Sequence, residues 1–79
     1  MKISYDPQVN IAYIMLKEKP VKVNSIKISE EMVIDIADDG SIYGVELLNA
    51  NEQLNKSHDG RFEFINLLSG IKMEYKIPV

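Results

Sequence analysis

Seventy-nine residues carrying twelve acidic and nine basic side chains, a net charge of −3, one histidine and no cysteine make one small domain with neither a disulfide framework nor a cluster of zinc ligands. The sole arginine, Arg61, and the lack of a basic stripe remove the phosphate-neutralising surface that nucleic-acid binding needs. No run approaches the ~20 apolar residues of a membrane span.

A core of this size contributes only roughly 3–5 kcal/mol, so self-association as a dimer, or binding to a small protein partner, is the expected remedy. The N-terminal sequence MKISYD lacks the apolar run and small-residue site of a signal peptide, and a cytoplasmic protein is expected. Charge is unevenly spread. Residues 1–50 hold five lysines against eight acids, while residues 51–79 are balanced at four and four.

In chain order, Met1, Ile3 and Tyr5 alternate with Lys2 and Ser4, the period-two pattern of a strand. Asp6 and Pro7 end it as a turn, Asp by bonding its own backbone further on and Pro by fixing φ. Residues 11–17 form a second strand with Ala12, Ile14 and Leu16 on one face and Ile11, Tyr13 and Met15 on the other. Both faces are apolar. This predicts a central strand, or one whose second face meets another subunit, and makes Ile11, Tyr13 and Met15 the candidate interface. Residues 18–20 turn, with Pro20 opening a third strand where its missing N–H points off the ladder. Val21 and Val23 share one parity and Ile26 and Ile28 the other, which places a bulge or bend at Asn24 and Ser25. Glu30 and Glu31 read as a solvated turn.

Residues 32–50 form a β-hairpin closed by Asp39 and Gly40, because a type I′ turn needs φ > 0 at both central residues and these two reach it cheaply. A two-residue loop pairs Ile36 with Tyr43, Ile34 with Val45 and Met32 with Leu47. One face is then wholly apolar, and the other carries Val33, Asp35, Ala37, Ile42, Gly44, Glu46 and Leu48. A three-residue loop over 38–40 slides the pairing by one, so that Ile36 meets Ile42 and Met32 meets Glu46. The first register sorts the side chains more cleanly and is preferred. Gly44, inside a strand, implies a bulge or a large neighbour such as a tyrosine lying over it.

Beyond the hairpin, residues 49–57 are polar and read as a loop or a short helix started by Asn49 or Asn51. Residues 57–60 are a second turn. Phe64, Leu67, Leu68 and Ile71 then fall at i, i+3, i+4 and i+7, with Asp59 as N-cap and Gly70 at the C′ position. A helix is therefore predicted over 59–69, although Phe62-Glu63-Phe64 also alternates like a strand. Ile71, Met73, Tyr75 and Ile77 alternate with Lys72, Glu74 and Lys76 in a last strand stopped by Pro78. The expected architecture is mainly β (α+β): five to six antiparallel strands in meander order with one short helix packed on the sheet.

Three places invite a chemical reading. The spacing of Asp35, Asp39, Gly40 and Glu46 matches a calcium loop at positions 1, 5, 6 and 12, but Ala37 supplies no oxygen at position 3 and the flanks are strands where that motif needs helices. Asp35 and Glu46 share the mixed face in diagonal positions, close enough for long side chains to influence each other. The preferred reading has both facing solvent or accepting hydrogen bonds from Tyr or Lys neighbours. Acid–base work makes them the candidate polar site of a small carboxylate-based or metal-dependent hydrolase, the enzymatic alternative. His58, beside Asp59 in a turn, has nothing obvious to activate and is expected to be exposed. No catalytic residue, metal ligand or cofactor is assigned, and a non-enzymatic protein-interaction module is preferred.

Tyr5-Asp6-Pro7, then Tyr13-Ile14 with Leu16, then Val33-Ile34-Asp35, Asp39-Gly40, Ile42 and the run from Gly44 to Ala50 resemble the small bacterial and archaeal proteins grouped as domain of unknown function family 2283. The likeness covers about the first 50 positions. It implies a small β-rich domain without an established activity, and an antitoxin-like role beside a small toxin-like protein. The family's usual Leu-Asp-Ala ending stands here as Leu48-Asn49-Ala50, one acidic group fewer.

Overall fold

The computed structural model describes residues 1–18, 22–56 and 58–78, with the side chain of His58 outside that description. The strand start expected at Pro20 and the exposure expected of His58 therefore lie outside the described residues. The fold is mainly β. Strands β1 (Lys2–Asp6), β2 (Ile11–Met15), β3 (Val23–Ser29), β4 (Met32–Ala37) and β5 (Ile42–Leu48) are followed by a short helix, α1 (Ala50–Lys56), and strands β6 (Arg61–Ile65) and β7 (Lys72–Lys76).

The first five strands make one antiparallel sheet in the order β1-β2-β5-β4-β3, and β6 with β7 makes a separate two-stranded ribbon. Strands β3, β4 and β5 meander, but β5 also pairs with β2, so the first hairpin is joined to the second rather than continued by it. The physical reason lies in β2. Its apolar residues on both faces leave neither side suited to an open edge, and it sits between β1 and β5.

The central hairpin uses both registers weighed from the sequence. At its tip, Gly40 N–H donates to Ala37 O and Ala37 N–H donates to Ser41 O, with Gly40 at φ +87°, so the loop holds three residues, as in a type I turn followed by a left-handed glycine. Ile36 accordingly faces Ile42. A bulge then absorbs Tyr43. From Asp35 onward the pairing is Asp35 with Gly44, Ile34 with Val45 and Met32 with Leu47, the preferred register. The bulge or bend expected in β3 at Asn24 and Ser25 falls instead at Ile28, between Lys27 and Ser29.

The pairings put Tyr5, Ala12, Leu47 and Met32 side by side on one face, and α1 packs there. Ala12, Leu47 and Ala50 form the buried centre, with Ile14, Val45 and Leu54 packed partly against it. The helix is placed by its neighbours. Ala50 N–H donates to Asn10 O, and the Gln53 side-chain amide donates to the carbonyls of Leu48 and Glu31. The short-helix alternative for 49–57 is thus the one taken, with Asn49 at φ +53° just before it.

The helix predicted over 59–69 is absent and a hairpin stands there. An N-cap residue needs extended dihedrals, whereas Asp59 is left-handed at φ 56° inside a 3₁₀ turn over His58–Gly60. Residues 61–65 are strand, and they answer a demand of the tail, which needs a partner for its own period-two pattern. Phe62 meets Tyr75 and Phe64 meets Met73. Gly70 does take a positive φ, +77°, but closes a single turn: its N–H donates to Asn66 O, and the Asn66 carboxamide oxygen accepts from the N–H groups of Leu68 and Ser69.

Candidate functional site

On the sheet face opposite α1, the sequence-predicted pair Asp35 and Glu46 stands within a line of residues crossing four strands. Asp35 in β4 faces Gly44 in β5 on one side and Ser25 in β3 on the other, while Glu46 faces Tyr13 in β2 and Val33 in β4. The two carboxylates are therefore diagonal neighbours. Asp35 is the hub. The Tyr13 hydroxyl donates to Asp35 Oδ2 at 2.7 Å, and the Ser25 hydroxyl donates to Oδ1 at 2.6 Å. Among the described residues, no side chain hydrogen-bonds to Glu46.

Gly44 makes the long reach of Tyr13 possible. A Cβ at this position would lie 2.5 Å from Tyr13 Cζ and 2.7 Å from Cε2, well inside van der Waals contact, so the phenol ring occupies the space a side chain would take. The absence of a Cβ, not a left-handed backbone, is what the site requires here. From sequence, Ser25 is singled out only as part of an expected bulge or bend and not as a partner of Asp35. Pairing β3 to β4 through the Glu30-Glu31 turn would have placed it near Asp35, but the unforeseen bulge at Ile28 shifts that count by one.

Burial, the hydrogen bond to Asp35 and the nearby charges of Asp35 and Glu46 together push the Tyr13 phenol far above its ordinary value of about 10. The phenol thus keeps its proton at neutral pH and acts as a donor, not as a phenolate base or nucleophile. Ser25 donates a hydrogen bond to a carboxylate already engaged by Tyr13, an arrangement that holds strands together rather than freeing an alkoxide. The remaining residues of the calcium-like spacing serve the turn. Asp39 accepts from the Ser41 N–H and hydroxyl and lies 3.9 Å from Lys17 Nζ, and those contacts hold its carboxyl below the usual range.

A second polar cluster ties the β1–β2 turn to the start of α1. Asp6 Oδ1 accepts from Gln8 N–H, which sets the turn at Asp6 and Pro7. Asn10, left-handed at φ 56°, then reaches across: its Oδ1 accepts from the Tyr5 hydroxyl and Asn51 N–H, and its Nδ2 donates to Asn51 Oδ1 at 2.8 Å and Asn49 Oδ1 at 3.3 Å. The nearest sequence signal for Asn10 was its type, since asparagine tolerates positive φ where most residues do not. Ile11, Tyr13 and Met15 are half-buried on the face that α1 leaves uncovered, with Ile11 beside Leu48 and Met15 beside Gly44.

The family described as Protein of unknown function (DUF2283) matches residues 2–51, which takes in both clusters and the whole five-stranded sheet. The chain belongs to that family. No curated protein and no solved structure gives a match. The matched DUF2283 segment ends at Asn51, the last residue of the Asn10–Asn49–Asn51 cluster, and the hairpin over residues 61–76 lies outside it. Its Tyr-Asp-Pro, Gly-Val-Glu and Leu-Asn-Ala pieces map onto a turn, a tyrosine berth and a helix start, each explained by its contacts in the fold. Among the described residues, no group of three His, Cys, Asp or Glu side chains is placed to hold a metal ion, and no helix is long and apolar enough to cross a membrane.

Proposed function

We propose that this chain is a non-enzymatic protein-interaction module that works as a homodimer. One observation carries the reading. The accessible surface is 6048 Å², roughly 1,200 Å² above the about 4,850 Å² that its 9.0 kDa mass predicts for a folded monomer. Its radius of gyration of 14.0 Å likewise exceeds the about 12 Å of a compact chain this long. Among the described residues, Ala12, Ala37, Leu47 and Ala50 are the buried hydrophobics, while large side chains from Met1 to Tyr75 stand exposed. A surplus of accessible surface on this scale, together with these exposed hydrophobic side chains, supports an unfilled interface.

Sedimentation velocity tests it: a dimer is expected in the micromolar range, and a strict monomer at high micromolar concentration overturns it. The antitoxin-like version, in which the partner is a different small protein, draws support from the family resemblance and is tested by co-purification with the product of a neighbouring gene. A cytoplasmic setting fits the cysteine-free composition. For Asp35 and Glu46 as a hydrolytic pair, Asp35→Asn separates the cases. Lost stability marks a brace, and retained fold with lost turnover marks a catalyst.

A further inference from the structure

The β6–β7 hairpin sorts its side chains sharply. Phe62, Phe64, Met73 and Tyr75 share one face, since Phe62 pairs with Tyr75 and Phe64 with Met73. The opposite face carries Arg61, Lys76, Ile65, Glu63, Glu74 and Lys72, the last three joined by ion pairs of Lys72 to Glu63 at 3.4 Å and to Glu74 at 3.0 Å. The charges thus lie on one side, and the other bears none to repel a second copy. Every residue of β7 is exposed, and at the tip Leu67 is 93% and Leu68 99% accessible.

At the root of this hairpin lies a groove of about 440 Å³, bounded by Ile3 and Tyr5 of β1, Leu54 of α1, and Phe62, Tyr75, Ile77 and Pro78, with Lys76 its one charged lining residue. Phe62 and Tyr75 belong to both surfaces, so the apolar face of the arm runs into the groove without a break. A five-residue strand spans roughly 17 Å, which keeps the tip of the arm away from its own root. A second copy laid antiparallel has no such limit: its tip falls where the first copy's groove opens.

We propose that two copies stack their β6–β7 hairpins antiparallel, apolar face on apolar face, with Leu67 and Leu68 of each seated in the groove at the root of the other. The contact is isologous, one patch meeting itself about a two-fold axis. Its size suits the task. The exposed fractions of Phe62, Phe64, Met73, Tyr75, Leu67, Leu68 and Ile71 amount to about four and a half fully exposed side chains, or roughly 800 Å² per copy at ~150–200 Å² each, the half-share of a standard interface. This inference rests on the homodimer reading above and names its surface.

The native chain has no cysteine, so cross-linking can report the geometry directly. Leu68→Cys combined with Ile3→Cys, mildly oxidised, is expected to give a covalent dimer on a non-reducing gel, and Leu68→Cys combined with Met15→Cys on the far sheet face is not. Sedimentation equilibrium of Phe64→Glu and Leu68→Glu is expected to show at least a tenfold weaker dimer with an unchanged circular dichroism spectrum, the loss of one central contact. A wild-type dimer that both glutamates leave intact, or that cross-links equally through Met15, overturns the hairpin assignment and leaves self-association standing. A wild-type monomer at high micromolar concentration overturns both.

Discussion

The two halves of this molecule spend their polar groups differently. In the five-stranded sheet, single side chains bind residues far apart in sequence: Asp35 accepts hydrogen bonds from Tyr13 and Ser25, and Asn10 reaches Asn49 and Asn51 across 39 and 41 positions. In the C-terminal hairpin, the ion pairs stay within the ribbon, and its apolar face has little of the rest of the chain to cover it. Long-range polar ties over a small alanine-centred core hold the first half to one arrangement. The second half is ordered locally and left available.

That contrast can be broken by substitution, most severely at the core. Leu47→Ala removes the largest buried side chain beside Ala12 and Ala50 and is expected to cost about 2–4 kcal/mol, enough to unfold much of a domain this small in a urea titration. Gly44→Ala drives the Tyr13 ring off its berth and off Asp35, with an expected loss of about 1–3 kcal/mol. The loss should shrink in a Tyr13→Ala background, which a double-mutant cycle reads. Asn10→Ala strips the start of α1 of its acceptor and is expected to cost about 1 kcal/mol, with loss of helical signal before the sheet melts.

The Tyr13–Asp35 contact also has a signature in alkali. A phenol whose folded pKa lies above its unfolded value contributes stability that is full below about pH 10 and is lost as pH rises toward the folded value. Phenolate absorbance should show a late component that appears only with unfolding, and Tyr13→Phe should abolish it. The smallest effect belongs to the other half. Leu67→Ser, at a side chain that touches almost nothing in its own chain, should change the unfolding free energy of the monomer by no more than about 0.5 kcal/mol. A large loss there would dissolve the distinction between the halves.

The sheet was largely legible because its signals are short-range. Alternation at 11–17 and 32–48 and the turn at Asp6-Pro7 are written in adjacent residues, whereas Asp39-Gly40 fixed the place of a turn but not its length, and the loop holds three residues where two were preferred. The hairpin was not legible. Phe64, Leu67, Leu68 and Ile71 satisfy a helical period as well as Phe62 and Phe64 satisfy a strand's, and local spacing cannot choose between them. The choice came from the tail strand, whose unpaired backbone groups found their partner in residues 61–65.

By itself, the sequence determined which residues alternate, where the chain must turn, and that the interior would be too small for comfort. Only the tertiary structure decided that β5 lies against β2, that Tyr43 bulges so that Asp35 meets Gly44, and that one asparagine in a turn starts the helix. Periodicity is written in neighbours along the chain. Partnership between residues tens of positions apart depends on which strand edges meet, and a single inserted residue is enough to change every pair beyond it.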